Sequence, residues 1–266
     1  MKERRPQVCV LKTDGINCDQ ETHGAFDIAG GKPRIVHVNE LREREDALKR
    51  YQILALPGGF SYGDDIASGK ILALELTSYL ADQINDFINH GGLVLGVCNG
   101  FQVLVRTGLL PFGTMGEIQA TLNKNDSGHF ECRWINLKIE PNSRCVFLNN
   151  RAIEQFSNGI SYQVAHGEGK FFASNETMQA IEQSSLVVFR YVDKKGNPTQ
   201  KYPENPNGAL HAIAGICDPT GRILGLMPHP ERFVRREQHP NWRRMPDLEP
   251  HGLPLFQKMV TYAAQM

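Results

Sequence analysis

Residues Gly91–Arg106 read GGLVLGVCNGFQVLVR. An apolar strand, Leu93–Val97, runs straight into Gly96-Val97-Cys98-Asn99-Gly100, and a helix-periodic apolar pattern follows at once. Strand, sharp turn, helix is the layout of a nucleophile elbow, here with cysteine in the nucleophile's position. So tight a turn forces its central residue into a strained backbone conformation, and glycine two residues to either side allows the close packing it requires. The first amides of the helix would point back at the thiol and favour thiolate. The plain alternative is a core cysteine ending a strand, because cysteine is among the most buried residue types. The flanking glycines and the switch from strand to helix argue against it.

Working outward, the first hundred residues alternate between two periods. Short β-branched runs lie at Val8–Leu11, Arg34–Val38, Ile53–Leu56 and Leu93–Val97, with helical patterns over Asp19–Ala29, Leu41–Lys49 and Ile71–Asn89 between them. This repetition predicts an α/β fold, a mostly parallel sheet with helices on both faces. Ligands of such sheets sit at the carboxyl ends of the strands, here Lys12–Asn17, Pro57–Asp65 and Cys98 onward. After Leu110 the texture becomes β-rich: residues 130–140 alternate, as do parts of 162–173 and 186–192. Ile213–Cys217 and Ile223–Met227 flank a DPTGR turn, and Pro254–Ala264 reads as a closing helix. No repeat or clear linker interrupts residues 1–266, which read as a single domain.

The 266 residues carry 29 Lys+Arg against 29 Asp+Glu, so the basic footprint of a nucleic-acid binder is absent. The same balance offers no attraction to an anionic membrane surface. The longest apolar runs fall far short of the roughly 20 residues of a spanning helix, and MKERRPQVCVL has too few apolar residues to be a signal peptide. Six cysteines could form three bridges, but neither CxxC nor CxxH occurs, and a chain this long needs no staples. They read as free thiols in a reducing cytoplasm.

A cysteine nucleophile needs a base, and the base an orienting group. His229 stands out among nine histidines, in Gly225-Leu226-Met227-Pro228-His229-Pro230-Glu231 after an apolar run. Flanking prolines restrict its backbone, and Glu231 can turn back to one ring nitrogen. Alone, His-Pro-Glu reads as a surface turn; with the elbow it completes a Cys98, His229, Glu231 triad. Pro57-Gly58-Gly59, at a strand's end, can present an N–H to a developing oxyanion, and the Asn99 N–H is a second donor.

Gly96 to Gln102 in the pattern G-x-C-x-G-x-Q, with Pro57-Gly58-Gly59 and the later His-Pro-Glu, resembles the class I (triad) glutamine amidotransferases. More narrowly, several segments resemble the glutaminase subunits of phosphoribosylformylglycinamidine synthases. They are Asn17-Cys18-Asp19, PGGFSYGDDIASGK (57–70), GVCNGFQVL (96–104), AHGEGKF (165–171), FRYVD (189–193), NPNG (205–208) and GLMPHPER (225–232). The departures are Thr13-Asp14-Gly15-Ile16, where that family often has a Pro-Gly turn, and Lys170, where arginine is usual.

The resemblance implies one class I amidotransferase domain that hydrolyses glutamine through a γ-glutamyl thioester. Cys98 would be the nucleophile, His229 the base and then acid, and Glu231 the orienter. Gly59 and Asn99 would form the oxyanion hole. Gln102 would lie near the substrate, and Ala165–Glu168, with Ala165 and His166, would hold its α-amino and α-carboxylate end. A loop histidine bonding backbone is an equal alternative for His166. The resemblance also implies a cytoplasmic subunit of de novo purine biosynthesis, with no metal or cofactor on this chain. Ammonia would pass to a separate synthetase subunit that uses ATP and magnesium, in a complex with a small accessory subunit, and no nucleic acid or membrane would be a partner.

Other features are set aside. Gly63–Ile71 brushes against a phosphate loop, but its glycine spacing is wrong and Ile71 stands where Ser or Thr must hold magnesium. Arg232, Arg235, Arg236, Arg243 and Arg244 read as a solvated surface run. Cys9, Cys132, Cys145 and Cys217 read as packing residues, and Cys18 as a partly exposed loop thiol with no base near it. Competing functions are another cysteine hydrolase of the γ-glutamyl hydrolase or peptidase type, and a non-catalytic subunit that kept the fold.

Overall fold

The computed structural model describes residues 5–148 and 159–266. Its first half is β1 (Gln7–Lys12), α1 (Asp19–Ile28), β2 (Lys32–His37), α2 (Val38–Arg42), β3 (Ile53–Leu56), α3 (Lys70–Tyr79), α4 (Ala81–Asn89), β4 (Leu93–Val97) and α5 (Asn99–Arg106). The second half adds β5 (Ala120–Lys124), β6 (Glu131–Ile139), β7 (Ile160–His166), β8 (Glu168–Ala173), α6 (Asn175–Gln183) and β9 (Val187–Tyr191). It ends with β10 (Ile213–Cys217), β11 (Ile223–Leu226) and α7 (Leu253–Ala263).

Nine strands form one sheet in the order β2-β1-β3-β4-β11-β10-β9-β6-β7. From β2 to β11 the neighbours run parallel, and from β11 to β7 antiparallel. The β-rich second half therefore extends the α/β sheet, while β5 and β8 pair separately. Every residue of β3, β4, β10 and β11 is buried, the signature of strands covered on both faces. The edge strand β7 alternates buried and half-buried residues. Phe26 of α1 meets Phe256 of α7 edge to face at 5.0 Å, tying the closing helix to the first. No helix among the described residues is long and apolar enough to cross a membrane.

Two helical patterns fold differently from their periodicity. Instead of one helix over Leu41–Lys49 there is α2, capped by the His37 ring at Asn39 N, and a 3-10 turn at Ala47–Arg50. The Gln83 side chain donates to the carbonyls of Leu41 and Arg44 and accepts from Leu48 N–H, so a distant residue takes over the bonds a longer helix would make. The pattern Ile71–Asn89 is broken into α3 and α4 at buried Leu80 (φ −124°, ψ 7°). Thr77 Oγ1 donates to the Ala73 carbonyl just before the break, a local bond that weakens the helix ladder.

Because β1, β3, β4 and β11 are adjacent and parallel, the loops leaving them emerge at one edge. Those loops carry Cys18, Gly58-Gly59, Cys98 and His229.

Candidate active site

Cys98 has φ 52° and ψ −105°, the strained turn expected of an elbow. Its N–H donates to the Leu226 carbonyl at 2.8 Å, pinning the turn to β11. The glycines around it are required by contact. A Cβ on Gly100 would lie 1.9 Å from the Leu56 carbonyl oxygen, and one on Gly96 2.5 Å from Leu104 Cδ1. All of α5 except Arg106 is buried.

His229 is held from both sides. Its N–H donates to the Gln163 carbonyl at 2.8 Å, and its Nδ1 lies 2.5 Å from Glu231 Oε1, both side chains being buried. Its Nε2 has no hydrogen-bond partner among the described residues. A Cβ built on Gly58 would stand 2.7 Å from His229 Cε1, 3.3 Å from Cys18 Sγ and 3.4 Å from Cys98 Cβ, so the three side chains surround one point above the β3 loop.

Burial pushes the Cys98 thiol well above the ordinary thiol range, and neighbouring Cys18 and Glu231 push it further. The Arg232 charge and, as the elbow predicts, the Asn99 N–H at the start of α5 oppose this, but lost solvation outweighs both. Burial thus favours the thiol over the thiolate expected from the helix terminus alone. Its S–H faces the Ala165 carbonyl at 3.6 Å.

The Asn99 side chain ties the elbow to the loop after β3: its Oδ1 accepts from Ser61 N–H at 3.2 Å, and its Nδ2 donates to Asp64 Oδ1 at 3.0 Å. That loop carries positive φ at Tyr62, Gly63, Asp64 and Ile66, and burial raises the Asp64 carboxyl. Phe60 and Tyr62 donate backbone N–H groups to the carbonyls of Gly15 and Asp14, so Thr13–Ile16 is a brace for this loop. The Gly59 N–H finds no acceptor among the described residues. Gln102 accepts from Asn99 and donates to the Glu168 carbonyl at 2.5 Å, joining the elbow helix to the segment after β7.

The buried His166 ring meets two asparagine side chains. Nδ1 lies 3.1 Å from Asn125 Oδ1, and Nε2 lies 3.5 Å from Asn207 Nδ2, which also reaches the Tyr191 hydroxyl at 3.0 Å.

Cys18 departs most from the sequence reading. It is buried, and a base lies beside it: one ligand-type atom from each of Cys18, His229 and Glu231 lies within 4.8 Å of the other two. Arg232, from the presumed solvated run, is half-buried and donates to Cys18 Sγ at 3.1 Å. Arg235, Arg243 and Arg244 are exposed as expected. Cys9, Cys145 and Cys217 are buried packing residues, but Cys132 is exposed on β6.

The profile of the CobB/CobQ-like glutamine amidotransferase domain matches residues 5–263. Phosphoribosylformylglycinamidine synthase subunit PurQ of Dehalococcoides mccartyi is 46% identical over 97% of this chain and 97% of its own. The chain belongs to the PurQ family. The Methanococcus maripaludis PurQ of strain C7 is 44% identical over 90% of this chain and 86% of its own. The solved structure of PurLQS from Thermotoga maritima superposes with a TM-score of 0.72 at 31% identity, covering 97% of this chain and 99% of that one.

In this PurQ-family chain the structure gathers Cys98, His229, Glu231, Gly59, Asn99, Ala165 and His166 at one edge, with Gln102 bracing the wall. Sequence reasoning missed Asn125 and the role of Asn207. The Asn-Pro-Asn-Gly run hinted at Asn207, but nothing local marks Asn125. The burial of His166 is testable. Burial, with His229 nearby, lowers the His166 pKa to about 3, so the folded protein keeps it neutral while the unfolded chain protonates near 6.5. Stability from this group is intact above about pH 6.5 and falls as pH drops toward 3, by about 1.4 kcal/mol per unit. Urea unfolding at pH 7 and pH 5 is expected to show this loss, and His166→Gln to reduce it. An equal pH dependence in the variant would refute the assignment.

Proposed function

We propose that this chain is the glutaminase subunit of a phosphoribosylformylglycinamidine synthase. It hydrolyses glutamine to glutamate and ammonia through a γ-glutamyl thioester on Cys98, and delivers the ammonia to a separate ATP-dependent synthetase in de novo purine biosynthesis. One observation carries the chemistry: a strained elbow cysteine beside a buried, carboxylate-oriented histidine whose outer nitrogen is unpaired among the described residues. The names of the PurQ relatives and of PurLQS support the reaction and the assembly.

The reaction starts from the neutral thiol. His229 Nε2 takes the proton as Sγ attacks the side-chain amide carbon of glutamine, and Glu231 holds Nδ1–H and stabilises the imidazolium. The N–H groups of Gly59 and Asn99 receive the oxyanion; one such donor is worth about 3 kcal/mol in the transition state. His229 returns the proton to the departing nitrogen and ammonia leaves. His229 Nε2 then deprotonates a water that attacks the thioester carbonyl, and passes that proton to the departing sulfur to restore the thiol. Ala165 and His166 form the wall that holds the amino-acid end of glutamine, and Gln102 braces it.

Ammonia released into neutral water would be protonated and lose its nucleophilicity, so hydrolysis must be coupled to a partner. ATP and magnesium belong to that synthetase, a small accessory subunit completes the complex, and this chain takes no cofactor. Its free cysteines suit a cytoplasmic location. The purified chain is expected to release glutamate slowly and to speed up at least about tenfold when synthetase subunits and their substrates are added, a coupling of ordinary size. Full activity alone would overturn the coupling, and no glutamate release in either condition would overturn the function.

A further inference from the structure

We propose that Asp64 is a positioning residue for glutamine hydrolysis: its carboxylate locks the loop after β3 to the elbow and so holds the two oxyanion donors, the N–H groups of Gly59 and Asn99, in register. The role rests on the glutaminase reading given above.

The two donors come from separate segments, and a closed circuit of hydrogen bonds joins both to the wall that holds the substrate. Asn99 Nδ2 donates to Asp64 Oδ1 at 3.0 Å, and Ser68 Oγ donates to Asp64 Oδ2 at 2.8 Å. Ser68 N–H donates to Glu168 Oε2 at 3.3 Å, and the Glu168 carbonyl accepts from Gln102 Nε2 at 2.5 Å. Gln102 Oε1 accepts from Asn99 Nδ2 at 3.0 Å, which returns the circuit to its start. Ser68, Asn99 and Gln102 are buried, so water does not compete freely for these bonds.

Asp64 is the corner at which the circuit crosses from the loop to the elbow. An ionised carboxylate only accepts and offers both oxygens, so it takes one donor from each side. The residue sits at φ 55°, a conformation that aspartate tolerates better than most side chains. Catalytic groups act only when held within about 0.5 Å of their productive place, and a misplacement of about 1 Å costs about 100-fold in rate. The oxyanion exists only in the transition state and the tetrahedral intermediate. Loosening its donors therefore lowers kcat and leaves the binding of glutamine in place.

The test uses the assembled complex, with Asp64→Gly as the decisive variant, because glycine takes φ 55° without strain and offers no side-chain acceptor. Its kcat for glutamate release is expected to fall about 30- to 100-fold, with KM within about threefold of the wild type. Alkylation of Cys98 by iodoacetamide, read by peptide mapping, develops no oxyanion and is expected to keep its wild-type rate. Asp64→Asn keeps an oxygen for Asn99, and the Ser68 hydroxyl can turn to accept from the amide, so most of the lost kcat is expected to return. An unchanged kcat in Asp64→Gly, a loss carried by KM, alkylation slowed in step with kcat, or no recovery in Asp64→Asn would overturn the proposal. Should Asp64→Gly not fold, Ser68→Ala decides the matter by removing one carboxylate bond: a fall of about threefold to tenfold in kcat alone supports the role, and no fall refutes it. No glutamate release by the wild type would sink the glutaminase reading, whereas wild-type release with an unaffected Asp64→Gly sinks only the role of Asp64.

Discussion

Replacing Cys98 by alanine is expected to abolish glutamine-driven synthesis by the assembled complex while synthesis from added ammonia continues. Loss of the nucleophile in a triad hydrolase costs about 10⁶-fold in kcat, and an alanine can form no thioester. The fold should tolerate the change. Cys98 is 4% exposed, alanine is smaller, and both residues meet the same difficulty at φ 52°. The neighbouring thiol provides the sharpest control. Cys18 lies beside the same base, but it caps α1 with φ −99° and ψ 16°, outside the strained elbow. Its sulfur is engaged by Arg232. Residual glutamine turnover in Cys98→Ala that vanished on adding Cys18→Ser would move the nucleophile to Cys18. Parallel assays with glutamine and with ammonium salts separate these results.

Gly100→Ala should be the most damaging small substitution in the elbow. The added methyl would sit 1.9 Å from the Leu56 oxygen, on a strand with every residue buried. A methyl has no rotamer with which to escape, so α5 must move off the sheet and carry Cys98 with it. Overpacking usually costs about 1–3 kcal/mol. A clash with backbone at the centre of the fold is expected to reach about 4 kcal/mol, or a fall of about 10 °C in Tm for a chain of this size. Gly24→Ala is the control: it lies within α1, and its Cβ would meet nothing within 4 Å. That change should stabilise by about 0.4–1 kcal/mol. Equal melting temperatures for the two variants would show that the elbow does not need its glycine.

Much of this molecule was legible in local spacing. Gly96, Cys98 and Gly100 specify a backbone path, and a path of a few residues is set by contacts among those residues and the strand beside them. The same holds for β3, β4 and β10, whose bounds match their apolar runs, and for His229 and Glu231, close enough in the chain to bond each other directly. The two misread helical patterns failed for the opposite reason. Gln83, far along the chain, supplies the bonds that end α2, and no period within 41–49 records that.

What the sequence alone determined, then, is the elbow, the oriented histidine and the alternation that builds a parallel sheet. Tertiary structure decided which loops meet. Strand order sets β1 two places from β4, with β11 on its other side, and parallel pairing turns their carboxyl ends to one edge. That brings Cys18 against Arg232, 214 positions away, and beside His229 and Glu231. It also decided the state of the nucleophile. The helix amide that favours thiolate is readable from the turn, but the desolvation that overrides it comes from the whole fold closing over the sulfur.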